Sequence, residues 1–301
     1  MIRIIQYGIA ITLGFAYLTI DVNSQLVNSF CLILILLFGI PHGAVDHRIH
    51  LSTSKDTSVL KYILRYVLIA AGYILWWLLD PTKALFIFIL LSAYHFGQEL
   101  LEDNKIKNSD VWMRMIWGLM ILVAPMIYHI ESISGYLNVV TQGELPDFGF
   151  WRYIVPSAII LFAIGSILLF KRRGIEKKSI HQLSAFLGFI IIIHVLLPFV
   201  LAFTLYFVLF HSLNAFKHQY KWLKSKKSNY DISRFAGDLV GFSLLAILGI
   251  LSLLWFLKPE SQTTLITYFF ILISLITLPH AITLDQFYRF RSQPRLSGGL
   301  K

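Results

Sequence analysis

Residues 180–217, IHQLSAFLGFIIIIHVLLPFVLAFTLYFVLFHSLNAFK, run on with no Asp, Glu, Lys or Arg until Lys217 closes the stretch. A helix crosses a bilayer core of about 30 Å in about 20 residues, so this run is nearly twice what one span needs. Pro198 lies near its middle, and proline cannot continue a regular helix because it lacks an N–H and clashes with the preceding turn. The stretch therefore predicts two spans joined by a tight turn. It makes the chain an all-α, polytopic transmembrane helical bundle.

The rest of the sequence extends that reading in both directions. Of 301 residues, 57% are hydrophobic and 14% charged, whereas soluble domains carry about 25% charged residues. Apolar runs bounded by charges and helix breakers predict about ten spans, at 4–20, 26–45, 59–79, 82–98, 112–130, 151–170, 180–197, 199–217, 235–257 and 262–285. No Ser/Gly/Pro-rich linker divides them, so residues 1–285 read as one transmembrane domain and 286–301 as a basic cytoplasmic tail. The first run exceeds the 7–15 apolar residues of a signal peptide, and no small-x-small cleavage site follows, so it reads as a retained helix. Cys31, the one cysteine, sits in an apolar run and excludes a disulfide framework or a cysteine-based metal motif.

Charge supplies a test of the division. Lys and Arg gather on the cytoplasmic side of a membrane protein. One face of the expected bundle collects Arg3, then Arg48, Lys55, Lys61 and Arg65, then Lys105, Lys107 and Arg114. It also collects Lys171, Arg172, Arg173, Lys177 and Lys178, then Lys217, Lys221, Lys224, Lys226, Lys227 and Arg234, and finally Arg289, Arg291, Arg295 and Lys301. These are 23 of the 26 basic residues, leaving Lys83, Arg152 and Lys258 for the other face. Both termini are accordingly expected in the cytoplasm. The net charge of +10 then serves topology and anionic lipid rather than nucleic acid, since the cations do not interleave with aromatics on a solvated face.

The ten histidines carry the chemistry. His42 ends the second expected span, His95 the fourth, His211 and His218 the eighth, and His280 lies late in the tenth. Even-numbered spans finish on the basic face, so these five converge on one membrane depth, with His47 and His50 just outside it. Ionisable groups at such depth are costly and face a partner, a cavity or the bundle interior. Neutral imidazole suits Fe, Zn, Cu or Ni, and the convergence reads as a metal site, although each histidine alone is equally suited to capping a helix end. Glu99, Asp46 and Asp285 stand near enough in sequence to orient such ligands. His129 and His194 fall toward the opposite face and His181 beside the Lys177/Lys178 loop.

Four segments, Gly39-Ile40-Pro41-His42-Gly43-Ala44, Tyr94-His95-Phe96-Gly97, Tyr206-Phe207-Val208-Leu209-Phe210-His211-Ser212 and Leu278-Pro279-His280, resemble the Brp/Blh family of membrane β-carotene 15,15′-dioxygenases. The resemblance implies cleavage of the central double bond of β-carotene by O₂ to two retinals, at a non-haem Fe(II) held by histidines. It places iron ligands at His42, His95 and His211. The family's usual fourth ligand, four residues after the third, is replaced here by Ala215. His218 stands seven residues after His211 and is taken as the fourth ligand, with His47 and His280 as alternatives. Phe38, Tyr94, Phe96, Tyr206, Phe207 and Phe210 are candidates to line a slot for the polyene. Membrane lipid is the expected surrounding, in a bacterial cytoplasmic membrane. A transporter would need polar side chains near the midplane, and a bis-histidine haem protein would need histidine pairs facing across helices; these are the competing readings.

Overall fold

The computed structural model describes residues 2–54, 58–106, 109–143 and 149–292. Lys55, Lys107, Arg295 and Lys301, counted above on the basic face, lie outside the described residues. Every regular element among the described residues is helical: α1 (Ile2–Thr19), α2 (Ser24–Leu34), α3 (Asp46–Thr53), α4 (Val59–Leu79), α5 (Pro81–Asp103), α6 (Val111–Ile121) and α7 (Val123–Tyr128). There follow α8 (Ile130–Thr141), α9 (Trp151–Arg172), α10 (Lys177–Leu196), α11 (Phe199–Leu205), α12 (Leu213–Lys226), α13 (Ile232–Leu257) and α14 (Gln262–Ser292). Nine helical stretches among the described residues are long and apolar enough to cross a membrane, and they coincide with the second to tenth expected spans. The first expected span is present as α1 but is not among the nine. Helix α14 continues through Ser292, so the first part of the expected tail is helical.

Local chemistry sets the breaks. Leu197, held extended by the proline that follows it (φ −119°, ψ 152°), ends α10, and Pro198 opens α11. Asp80 caps α5 by accepting from the Lys83 N–H, with Pro81 in the first helical position where no donor is missed. The expected loop at 131–150 is in its first half a helix, α8, which packs against α5 and α14.

One helix is the axis. The stretch Phe199–Lys226 has 83% of its most apolar window buried, against 11% for Ile232–Leu257, whose Leu245, Trp255 and Phe256 point outward as lipid-facing side chains do. Two wide turns interrupt the long helices: Ile35–Gly39 after α2 and Tyr206–Ser212 between α11 and α12 are π-helical. Such i→i+5 turns tend to sit at functional sites. Between α5 and α6 the backbones touch. A Cβ on Gly97 would lie 1.8 Å from the Arg114 carbonyl oxygen, and one on Gly118 would lie 1.5 Å from that of Ala93. Without a hydrophobic drive between helices in lipid, close packing of small residues of this kind is what holds them together.

At the basic face a second, smaller core forms from Val45, Ile49, Leu223, Tyr230, Phe235, Leu284, Phe287 and Tyr288. Ion pairs tie the helix ends there. Arg48 meets Asp238 at 2.6 Å, Lys217 meets Asp103 at 3.5 Å, and Arg3 also pairs with Asp103. Both features immobilise the ends on which the histidines stand.

Candidate metal centre

Four histidines from four elements meet in the interior. His42 stands in the single 3₁₀ turn Pro41–Gly43, where the π-turn and Pro41 stop α2; its Nδ1 bonds the Gly39 carbonyl, and its own carbonyl accepts from Gln219 Nε2 at 2.7 Å. His95 lies on α5 two residues from Ala93 and Gly97, where that helix is pressed against α6. His211 projects from the second π-turn. His280 follows Pro279 in α14, and its Nδ1 is 2.7 Å from Asp46 Oδ2. Gly43 makes room for that pair, since a Cβ there would be 3.3 Å from His280 Nδ1.

The four rings form a closed square. Centroids are 5.0 Å apart for His42 and His211, 4.6 Å for His42 and His280, and 5.2 Å for His95 with each of His211 and His280. Successive planes are turned by 80–89°. One nitrogen from each of His42, His95 and His211 lies within 4.8 Å of the others. Burial is nearly complete, at 7%, 1%, 2% and 3% exposure for His42, His95, His211 and His280. Yet His42 Nε2, His280 Nε2 and both nitrogens of His95 have no hydrogen-bond partner. Buried polar atoms left so are expensive, and several gathered close together are what a bound cation would satisfy.

Carboxylates back two of the rings. Asp46 holds His280, which fixes Nδ1 as the protonated nitrogen and turns Nε2 inward. Glu99 places an oxygen 2.6 Å from His211 Nδ1, close but off the axis of a hydrogen bond. Asp285 serves neither; it accepts from Tyr94 and Gln98 and pairs with Arg289.

The remaining histidines are elsewhere. His218 is not brought to the square: its Nε2 is 3.3 Å from Asp103 Oδ1 and its Nδ1 3.5 Å from the Tyr288 hydroxyl. His47 leans on Phe242 and His50 on Tyr62. His129 and His194 form a separate pair in which His129 Nε2 lies 2.7 Å from the His194 carbonyl oxygen.

An apolar slot opens from the square. Its first part is bounded by all four histidines with Ile35, Phe88, Phe207, Ile273 and Ile276. A second part continues from it past the shared residues Phe88, Ser92, Phe96, Phe203 and Phe270 to Ile133, Tyr136, Leu137 and Val140 of α8. Phe199, Phe203, Phe207 and His211 recur every four residues and stack nearly parallel at 5.9, 5.5 and 5.2 Å, forming one wall of the slot. Of the aromatic residues singled out from sequence, Phe96 and Phe207 line it; Phe38 is 37% exposed, Tyr94 bonds Asp285, and Tyr206 and Phe210 line a smaller cleft beside Glu99. Phe88, Phe203 and Phe270 were not singled out, because a phenylalanine repeat in an apolar span looks like any other packing stripe.

Comparison with known proteins identifies what this arrangement belongs to. The family model described as β-carotene 15,15′-dioxygenase matches residues 33–288, which contain all four clustered histidines. The chain belongs to the β-carotene 15,15′-dioxygenase family. It is 29% identical over 273 residues to the β-carotene 15,15′-dioxygenase of an uncultured marine bacterium, 66A03, covering 88% of this chain and 95% of that protein. It is 23% identical over 282 residues to the probable β-carotene 15,15′-dioxygenase Blh of Halobacterium salinarum, covering 81% of this chain and 79% of that one. No solved structure matches. The family's dioxygenase activity and the buried histidines are compatible with a metal cofactor, and iron is among the metals that neutral imidazoles suit.

Proposed function

We propose that this protein cleaves the central double bond of β-carotene with O₂ to give two molecules of retinal, at an Fe(II) ion held by His42, His95, His211 and His280. The observation that carries the proposal is the square of buried imidazoles, with unpartnered nitrogens, at the head of an apolar slot. His280 takes the fourth place in this reading because it closes the square, whereas His218 is engaged by Asp103.

The donor set fits such an ion. Four neutral ligands leave its charge intact, and the two carboxylates behind His211 and His280 offset that charge without occupying coordination positions. Bound there, Fe(II) would supply the one-electron chemistry that lets O₂ react with a carbon–carbon double bond. The chain's own part is placement. The Phe199–Phe203–Phe207 wall and Phe88 and Phe270 opposite give a planar hydrocarbon extended contact, so the bond presented to the histidines is set by how the rest of the molecule fits. Adding both atoms of O₂ across one C=C gives two C=O groups with no proton or further electron required. The slot accordingly needs no acid or base.

The competing readings fare less well. Ring centroids 4.6–5.2 Å apart around the square leave no space for a porphyrin between opposed histidines. A transporter would require a polar passage, whereas the slot is walled by Phe, Ile, Leu and Val. The proposal extends to place: a bacterial cytoplasmic membrane, with the histidine end of the bundle and both termini on the cytoplasmic side. The decisive experiment is purification in detergent, measurement of bound metal, and chromatography of products after incubation with β-carotene and O₂. Two retinals per β-carotene, lost after chelation and regained with Fe(II), are expected; no turnover by metal-loaded protein would refute the function.

A further inference from the structure

Apart from the clustered histidines, Ser92 is the one residue lining the slot, among the described residues, with a buried side-chain polar atom that has no partner. It lies on α5 one turn before His95, bounds both parts of the slot where they join, and is 2% exposed, yet its Oγ has no hydrogen-bond partner. Residues three apart on a helix share a face, so its hydroxyl and the His95 ring look into the same space. Hydroxyls inside apolar helices ordinarily satisfy themselves on a carbonyl of the preceding turn. That is what Thr204 does on Val200, Thr267 on Thr263, Thr277 on Ile273, Thr283 on Pro279 and Ser243 on Leu239, at 2.6–2.9 Å. The same option is open to Ser92 on the Phe88 carbonyl and is not taken.

We infer that Ser92 is a catalytic residue whose hydroxyl donates a hydrogen bond to the carbonyl oxygen of the aldehyde as it forms beside the histidines. This rests on the carotenoid-cleaving reading above. Hydrocarbon substrate offers the hydroxyl no acceptor; the product does. An oxygen that gains partial negative charge as the C=O forms, in a slot walled mostly by apolar side chains, is where a fixed donor stabilises the transition state more than the ground state. The Ser92 proton stays on its oxygen throughout, and no bond to Ser92 is made or broken. Ser92 then also sets the orientation of the product, with its oxygen toward α5 and its polyene along the phenylalanine wall.

The test uses the intact protein in detergent, loaded with metal and kept free of O₂, with all-trans retinal as probe. The carbonyl stretch of bound retinal, read by Raman spectroscopy, should lie below that of retinal in hydrocarbon solvent. In Ser92→Ala the stretch should return toward the hydrocarbon value and retinal should bind about three- to tenfold more weakly, the loss expected for one neutral hydrogen bond. Metal content should be unchanged, because Ser92 is not a ligand. Ser92→Cys, a weaker donor, should fall between. An identical stretch and affinity in wild type and Ser92→Ala would overturn the inference while leaving the dioxygenase reading intact if the wild type still yields retinal. A wild type that neither binds retinal nor cleaves β-carotene would overturn both.

Discussion

Replacing His280 by alanine separates the two ways of completing the metal site, because His280 and His218 have opposite surroundings. His280 is held through Nδ1 by Asp46, itself 2% exposed and with its other oxygen already unpartnered. Removing the ring thus strands a carboxylate in the interior, a loss of about 3–5 kcal/mol when one member of a buried pair goes. It also removes one of four ligands. Loss of a group that merely orients a ligand lowers metal affinity about 10–100-fold, so loss of the ligand should exceed that, more than about 2.7 kcal/mol of binding. The two contributions are separable. In the double variant Asp46→Ala, His280→Ala the stranded charge is gone, so thermal stability should recover relative to His280→Ala while iron stays absent. His218→Ala is the contrast. Asp103 keeps Arg3, Lys217 and Asn214 when His218 is lost, so no charge is stranded and the cost should stay below the about 3–5 kcal/mol of a broken buried pair, with full iron. The assay is iron per chain after reconstitution and dialysis against a chelator of graded strength, beside a melting curve. Full iron in His280→Ala, or its loss in His218→Ala, would refute the argument.

Gly118→Ala should drive α5 from α6, since its Cβ would meet the Ala93 carbonyl oxygen at 1.5 Å; overpacking of about 3 kcal/mol or more should lower the melting temperature by roughly 5–10 °C and cost iron through His95, and an unchanged melt with full iron would count against this packing. Val140→Phe, at the α8 end of the slot, should stop the polyene short, so that cleavage moves off centre and unequal aldehydes rise against retinal by about 10–200-fold, the range a methylene-sized mismatch commands; exclusive retinal from this variant would show that the slot does not set the register. Asp46→Asn, which keeps an acceptor for His280 Nδ1 but no charge, should weaken iron binding about 10–100-fold with little change in the melt. Reporter fusions at Lys301 and at 131–143 should report opposite sides of the membrane, and the same side for both would defeat the proposed orientation.

The bundle was legible because a bilayer enforces length and polarity so strictly that composition and one proline suffice. The expected break at Pro198 is where the chain breaks, and nine helical stretches coincide with expected spans. The helix α8 was not legible. At twelve residues it is too short to register as a span, yet it forms the far end of the slot. The expectation at His218 rests on its place seven residues after His211, which on a regular helix keeps the same face. His211 stands in a π-turn spanning Tyr206–Ser212, which widens the helix at that point and changes the face on which later residues emerge. His218, in the regular helix beyond, is turned to Asp103 instead. What sequence did contain was the second Pro-His, at Pro279-His280, with Asp46 following the first. Neither signal points to the other across 234 positions, and only packing of α14 against α3 joins them. Proline and glycine beside a histidine, then, mark where backbone has been bent to present a ring. Spacing along one helix is the poorer guide, because the ring it must meet stands on another.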